Sequence, residues 1–171
     1  MASILNVDTI NNAAGTSALT IDSSGKVLMP GHVVQVVREY NNHPSAISTT
    51  STSFTGSGVT AALTPVKNNS LILVDLSVSM ADAVSTYMDV AMYYKVGTGS
   101  YGVFDSGLQY QVGYQHGSYN RYSPMVFGGR ITVTGTDTLT FQPYFRSPSG
   151  GTVRYVHSNS SSCLTLTEVA Q

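Results

Sequence analysis

Residues able to do chemistry are few in this chain, and only one stretch concentrates them. Tyr101, Tyr110, Tyr114, Tyr119 and Tyr122 stand among Gly, Ser, Asn and Gln, together with His116 and Arg121. Tyrosine among small polar residues is the composition of binding loops, because each ring offers a large amphipathic contact at low conformational entropy. A neutral surface of this kind suits a sugar or a protein partner. Tyr101, Tyr110, Tyr114, His116, Tyr119, Arg121 and Tyr122 are therefore the candidate residues for partner or glycan binding. The same tyrosines would also suit strands that pack at the rim of a sandwich or across a subunit boundary. The chain has no tryptophan, which removes a favoured stacking platform for sugar rings.

The remaining reactive types do not assemble into a site. Gly97-Thr98-Gly99-Ser100-Tyr101-Gly102 matches the glycine string of dinucleotide-binding turns. That function needs a helix N-terminus directly afterwards to supply N–H groups to the phosphates. Val103-Phe104-Asp105-Ser106-Gly107 follows instead, which is strand and turn, so the string is expected to be a hairpin turn. His32, His43, His116 and His157 are far apart, and no nucleophile elbow or zinc-binding pattern occurs. Asp82 and Asp89 flank a loop, but the oxygen-rich spacing of a calcium loop is missing. Cys163 is the only cysteine, too few for an internal disulfide or a metal site, and it lies in an apolar run as a small hydrophobe would. No catalytic residue, no metal and no cofactor is expected, and the chain is read as not an enzyme.

The elements that would hold these residues read as strands. In Leu71–Met80, positions Ile72, Val74, Leu76, Val78 and Met80 fall on one face of an extended chain, and Asp75, Ser77 and Ser79 on the other. This period of two predicts a central core strand. Leu71 and Leu73 share the outer face with small hydroxyls, a poor match for open water and a fair match for another subunit. Tyr87–Val96 and Thr138–Arg146 alternate in the same way. Pro143 predicts an edge position or a bulge for the second of these, and Gly128-Gly129 divides Pro124–Phe127 from Arg130–Thr134. A short helical turn fits Met80–Ser85. About eight to ten strands at spacings of roughly 8–12 residues predict an all-β sandwich or barrel over residues 32–171.

Residues 1–31 differ in character. Ile4, Leu5, Val7, Ile10, Leu19, Ile21 and Val27 supply apolar positions between the turns Asn11–Thr16 and Asp22–Gly25. The segment is too short to build a core. It is read as an arm that attaches or trimerises by wrapping on copies of itself or on a partner, the alternative being a tail without a role.

Composition narrows the partners. The chain has 171 residues, enough for one sizeable core, and is 42% hydrophobic, so disorder is not expected. Only 10% of residues are charged, against about 25% in an ordinary soluble domain. A Ser/Thr/Asn/Tyr surface suits an exposed or assembled protein. Net charge is −1 with no Lys/Arg run, so nucleic-acid binding is not expected. No stretch approaches the ~20 apolar residues of a membrane span. The opening Met-Ala-Ser-Ile-Leu-Asn lacks the pattern of a signal peptide.

Two segments carry a family resemblance. Ile4–Val27, with Ile-Leu-Asn-Val-Asp-Thr-Ile and Ala-Gly-Thr-Ser-Ala-Leu-Thr-Ile-Asp-Ser-Ser-Gly-Lys-Val, resembles the N-terminal segment of structural proteins of tailed phages, many of them marine or cyanobacterial. Phe145–Val169, with Gly-Thr-Val-Arg-Tyr-Val-His-Ser and Leu-Thr-Leu-Thr-Glu-Val, resembles the last strands of jelly-roll domains in phage fibre and decoration proteins, similar in plan to the trimeric C1q/tumour-necrosis-factor fold. The matched residues look structural, so no site residue is carried over. The resemblance implies a homotrimer on the exterior of a virion. Its arm would bind capsid or tail proteins and its antiparallel jelly roll would project outward, as a capsid decoration or a head or tail fibre. A host glycan is the alternative partner.

Overall fold

The structure is a computed structural model and describes residues 7–21, 23, 25, 27–83, 86–104, 109–112 and 123–171. Among the described residues there are strands and turns and no helix. The first three strands, β1 (Thr9–Asn11), β2 (Ser17–Ile21) and β3 (Val27–Leu28), form a small antiparallel sheet. Its first turn is tied by Asn12, whose Oδ1 accepts from the backbone N–H of Ala14 and of Thr16, both at 2.9 Å. Asn side chains close turns in this way because they reach the backbone two residues on. Backbone bonds from Gly31 N–H to the Ala170 carbonyl and from Ala170 N–H to the His32 carbonyl mark where the chain enters the main body.

That body is two antiparallel sheets. The first contains β4 (Val33–His43), β5 (Ile47–Thr49), β8 (Leu71–Ala83), β12 (Ser123–Thr132), β14 (Val153–Val156) and β15 (Ser160–Val169). β4 pairs with β15 and β5 with β14, His43 opposite Ser160 and Ile47 opposite Val156, with register shifts between Glu168 and Val169 and between Arg154 and Val156, so β4 with β5 and β14 with β15 each occupy one strand position. β15 and then β14 run along one side of β8, and β12 runs along the other. The second sheet contains β6 (Thr55–Gly56), β7 (Ala61–Leu63), β9 (Met88–Val96), β10 (Gly102–Val103), β11 (Gln109–Val112) and β13 (Leu139–Arg146). β9 and β13 lie at its centre, with β10 and β11 along the far side of β9 and β6 and β7 along the far side of β13. Each sheet thus has four strand positions, and the chain crosses between the sheets in the order of a double Greek key. This is a jelly-roll sandwich.

Strict alternation produced this packing. Ile72, Val74, Leu76 and Val78 of β8 are buried, as are Leu139, Phe141 and Phe145 of β13 and Leu164 and Leu166 of β15. With Met88, Val90 and Met92 they fill the space between the sheets as one core. Each such side chain contributes roughly 1.5–3 kcal/mol on leaving water.

Three local expectations are corrected. Pro143 is not at an edge, and no bulge interrupts its pairing: it sits opposite Met92 in a strand paired on both sides. The reason is a gap in the neighbour. In an antiparallel strand the N–H and C=O of one residue point the same way, and the Pro143 carbonyl accepts from Ser57 N–H, in the break between β6 and β7. The missing donor therefore faces a place where no ladder bond is required. Gly128-Gly129 does not divide two strands, because β12 runs through it. A Cβ on Gly129 would lie 2.4 Å from the Phe104 ring, so the glycine makes room for that ring without breaking the ladder. The helical turn near Met80–Ser85 is absent at least as far as Ala83, where β8 continues as strand. By contrast, Gly97–Gly102 is the turn from β9 to β10, with Gly97 at φ +53° and a strand, β10, directly after it.

Candidate interaction surfaces

The arm residues come first. The register sets Ile10 opposite Leu19 and Ile21 opposite Val27. Alternation then places Ile10, Leu19, Ile21 and Val27 on one face of the small sheet, while Val7 falls on the other parity. Ile10 is 44% and Val27 45% exposed, and Leu19 and Ile21 are half-buried. The other described residues leave this apolar face open. Ile4 and Leu5 lie outside the described residues.

Most of the tyrosine stretch also falls outside them: Tyr114, His116, Tyr119, Arg121 and Tyr122. The backbone of Tyr110 is in β11, opposite Val90. Tyr101 is described, and its company was not legible in the sequence. It lies 5.8 Å from Tyr144, which stacks on Tyr93 at 4.1 Å, and Tyr93 lies 6.0 Å from Phe54. Lys95 covers Tyr101 at 5.2 Å and Arg146 covers Phe54 at 4.6 Å. The result is a column of four rings with a cation at each end, on the outer face of the second sheet. Its origin is alternation: Tyr93 and Lys95 face out of β9, and Tyr144 and Arg146 face out of β13. Tyr93 and Tyr144 are stacked at 24°, while Phe54 and Tyr101 lean on them at 51° and 54°. Burial, and then the neighbouring Tyr144, push the Tyr101 hydroxyl pKa above its ordinary value.

The acidic candidates are each committed to an arginine. Asp89 Oδ2 accepts from Arg146 Nε at 2.8 Å, directly across the β9–β13 ladder, and Asp82 Oδ2 from Arg154 at 2.7 Å. No group of three or more His, Cys, Asp or Glu among the described residues is placed to hold a metal ion. His43 Nε2 lies 2.8 Å from Ser162 Oγ, a serine–histidine contact. Ser162 is buried, so its hydroxyl is closed to a substrate and the contact ties β4 to β15 instead. Burial lowers the His43 pKa.

Sequence reasoning missed Glu168, which is completely buried. Its carboxylate accepts from Ser70 Oγ at 2.6 Å, Gln35 Nε2 at 2.6 Å, and the backbone N–H of Val66 and Lys67. Burial raises its pKa, but the four donors outweigh burial and hold it below the usual carboxylate value. This is a structural knot joining β4, β15 and the 64–70 loop.

The outer face of the first sheet is the third surface. A groove of about 480 Å³ crosses it between Arg38, Tyr40, Asp75, Val126, Ser161 and Cys163. Cys163, half-buried, accepts from Arg38 Nε at 3.0 Å.

No protein-family model matches the chain, and no curated protein matches it. Among solved structures it is similar to a chain of infectious bursal disease virus, Gx strain, with TM-score 0.44 and 15% identity over 81% of this chain and 32% of that one. The VP2 subviral particle of the same virus gives TM-score 0.35 and 15% identity over 90% and 42%. The Yersinia pseudotuberculosis-derived mitogen gives TM-score 0.34 and 10% identity over 84% and 88%. The chain thus spans less than half the length of these viral chains, and likenesses this distant assign no function.

Proposed function

We propose that the protein is a non-enzymatic virion structural protein, a trimeric capsid decoration or head or tail fibre component. Residues 1–31 attach it and the jelly roll projects outward. The observation that carries this reading is the open apolar face of Ile10, Leu19, Ile21 and Val27. Three short strands cannot bury that face within themselves, and it fits burial against a virion protein or against copies of the arm. Two further features support it: the resemblance of Ile4–Val27 and Phe145–Val169 to phage virion proteins, and a surface with few charges.

The test is incorporation. Leu19→Asp places a charge on the arm face and leaves the jelly roll untouched. The expected result is particles lacking the protein while the isolated variant keeps its β-sheet circular dichroism. Normal incorporation of that variant would overturn attachment through this face. Immunogold labelling or a particle reconstruction separates the forms: hundreds of copies over the head mark a decoration protein, a handful a fibre.

Glycan recognition is a second reading, favoured by the gathering of Tyr101, Tyr93 and Tyr144 in one column. Tyr101→Ala with Tyr144→Ala should then lower adsorption to host cells by particles that carry the protein at normal copy number. Unchanged adsorption would remove this reading.

A further inference from the structure

The outer face of the first sheet is unusual for a surface in water. Four strands contribute cross-strand rows: Tyr40, Cys163, Ser77 and Val126, then Arg38, Thr165, Asp75 and Gly128, then Val36, Thr167, Leu73 and Arg130. Val126 is 74%, Val36 57% and Tyr40 56% exposed, and all three belong to this face. Its charges are Arg38, Asp75 and Arg130, and neither ion pair among the described residues uses any of them. Arg38 and Asp75 are two strands apart, about 10 Å between backbones, and the Arg38 guanidinium goes to Cys163 instead.

We infer that this face is an interface with a second copy of the chain. The inference rests on the assembled-virion reading above and locates where the jelly rolls of the assembly meet. Charge complementarity identifies the occupant. The face carries one acid between two cations, so Asp75 of one copy takes Arg38 or Arg130 of its neighbour in the assembly. Tyr40, Val36 and Val126, at three corners of the face, close around that centre. The area is also right. Four strands about 4.8 Å apart and about eight residues long make a plane of roughly 500 Å², and side-chain relief carries the accessible area towards the ~800 Å² per partner of a specific interface. Leu71 and Leu73 on this side of β8 gain cover that the single chain does not give them.

Cys163 lies within the face and serves as the probe. The full chain is labelled with a maleimide over a range of concentrations, with sedimentation equilibrium run in parallel. The expected result is labelling about tenfold slower once the chain is assembled, and rapid labelling again in Val126→Glu at the same concentration. Asp75→Arg should weaken association, and adding Arg38→Asp with Arg130→Asp should restore it. Assembly with a labelling rate independent of concentration would overturn this face while leaving attachment through the arm intact. A chain monomeric at every concentration would overturn both this interface and the trimer. Val126 is exposed in the single chain, so its substitution leaves the fold, read by circular dichroism, unchanged.

Discussion

Glu168 shows how a single residue can hold several segments at once. Its four donors include two backbone N–H groups of the 64–70 loop, which have no strand partner to fall back on. Removing the acceptor leaves buried donors unpaired, so Glu168→Ala should destabilise by roughly 3–5 kcal/mol, and Glu168→Gln by less, as measured by urea unfolding. The pH dependence follows from the same geometry. The folded-state pKa of Glu168 lies below its ordinary 4.5. Its contribution is therefore complete above about pH 4.5 and is lost as pH falls through the depressed folded value. His43 acts in the same direction at higher pH. Its folded pKa is lowered from 6.5 by burial, so stability begins to fall as the imidazole is driven to protonate below that value. Denaturant midpoints should decline first below about pH 6.5 and again below about 4.5, and Glu168→Gln should lessen the second decline and leave the first unchanged. Arg154 is a simpler case. Arg154→Met leaves Asp82 buried without its partner and should cost roughly 2–4 kcal/mol.

At the scale of elements, alternation was the readable signal, and it was readable where one face is completely buried. Ile72, Val74, Leu76 and Val78 announced β8, and Leu139, Phe141 and Phe145 announced β13, because water excludes any other period there. Register was not readable. Tyr93 and Tyr144 each show only that they face outward, and nothing in either strand says that they meet. The ring column with Phe54 and Tyr101 exists because β9 and β13 pair with Ala91 opposite Tyr144, a long-range fact. Pro143 misled for the same reason: its tolerance depends on a break between β6 and β7, not on its own strand. Glu168 was hidden because its donors are spread over residues 35–70. Gly129 is the local counterpart, a glycine read as punctuation that is in fact a packing device under Phe104. Gly129→Val should force the ring aside and lower stability by roughly 1–3 kcal/mol without altering the strand content seen by circular dichroism.

The whole molecule joins a two-sheet jelly roll to a small sheet of a different kind. The jelly roll closes its core between two layers, whereas the sheet of β1, β2 and β3 has one layer and no second face to pack on. Stability should therefore be uneven along the chain, and hydrogen exchange can read it strand by strand. Amides in β8 and β15 lie in ladders paired on both sides above a buried apolar core, so they should exchange only through global opening. Amides of Leu19 and Ile21 should exchange orders of magnitude faster in the isolated chain, since a small exposed sheet opens locally at little cost. The informative comparison is with the assembled particle. If the arm face is where attachment occurs, Leu19 and Ile21 gain protection there by at least about a hundredfold, a change of roughly 2.7 kcal/mol in opening free energy, while β8 changes little. Equal protection of the arm in the free and assembled states would mean that its apolar face is not the contact, and the attachment reading would fail on that measurement.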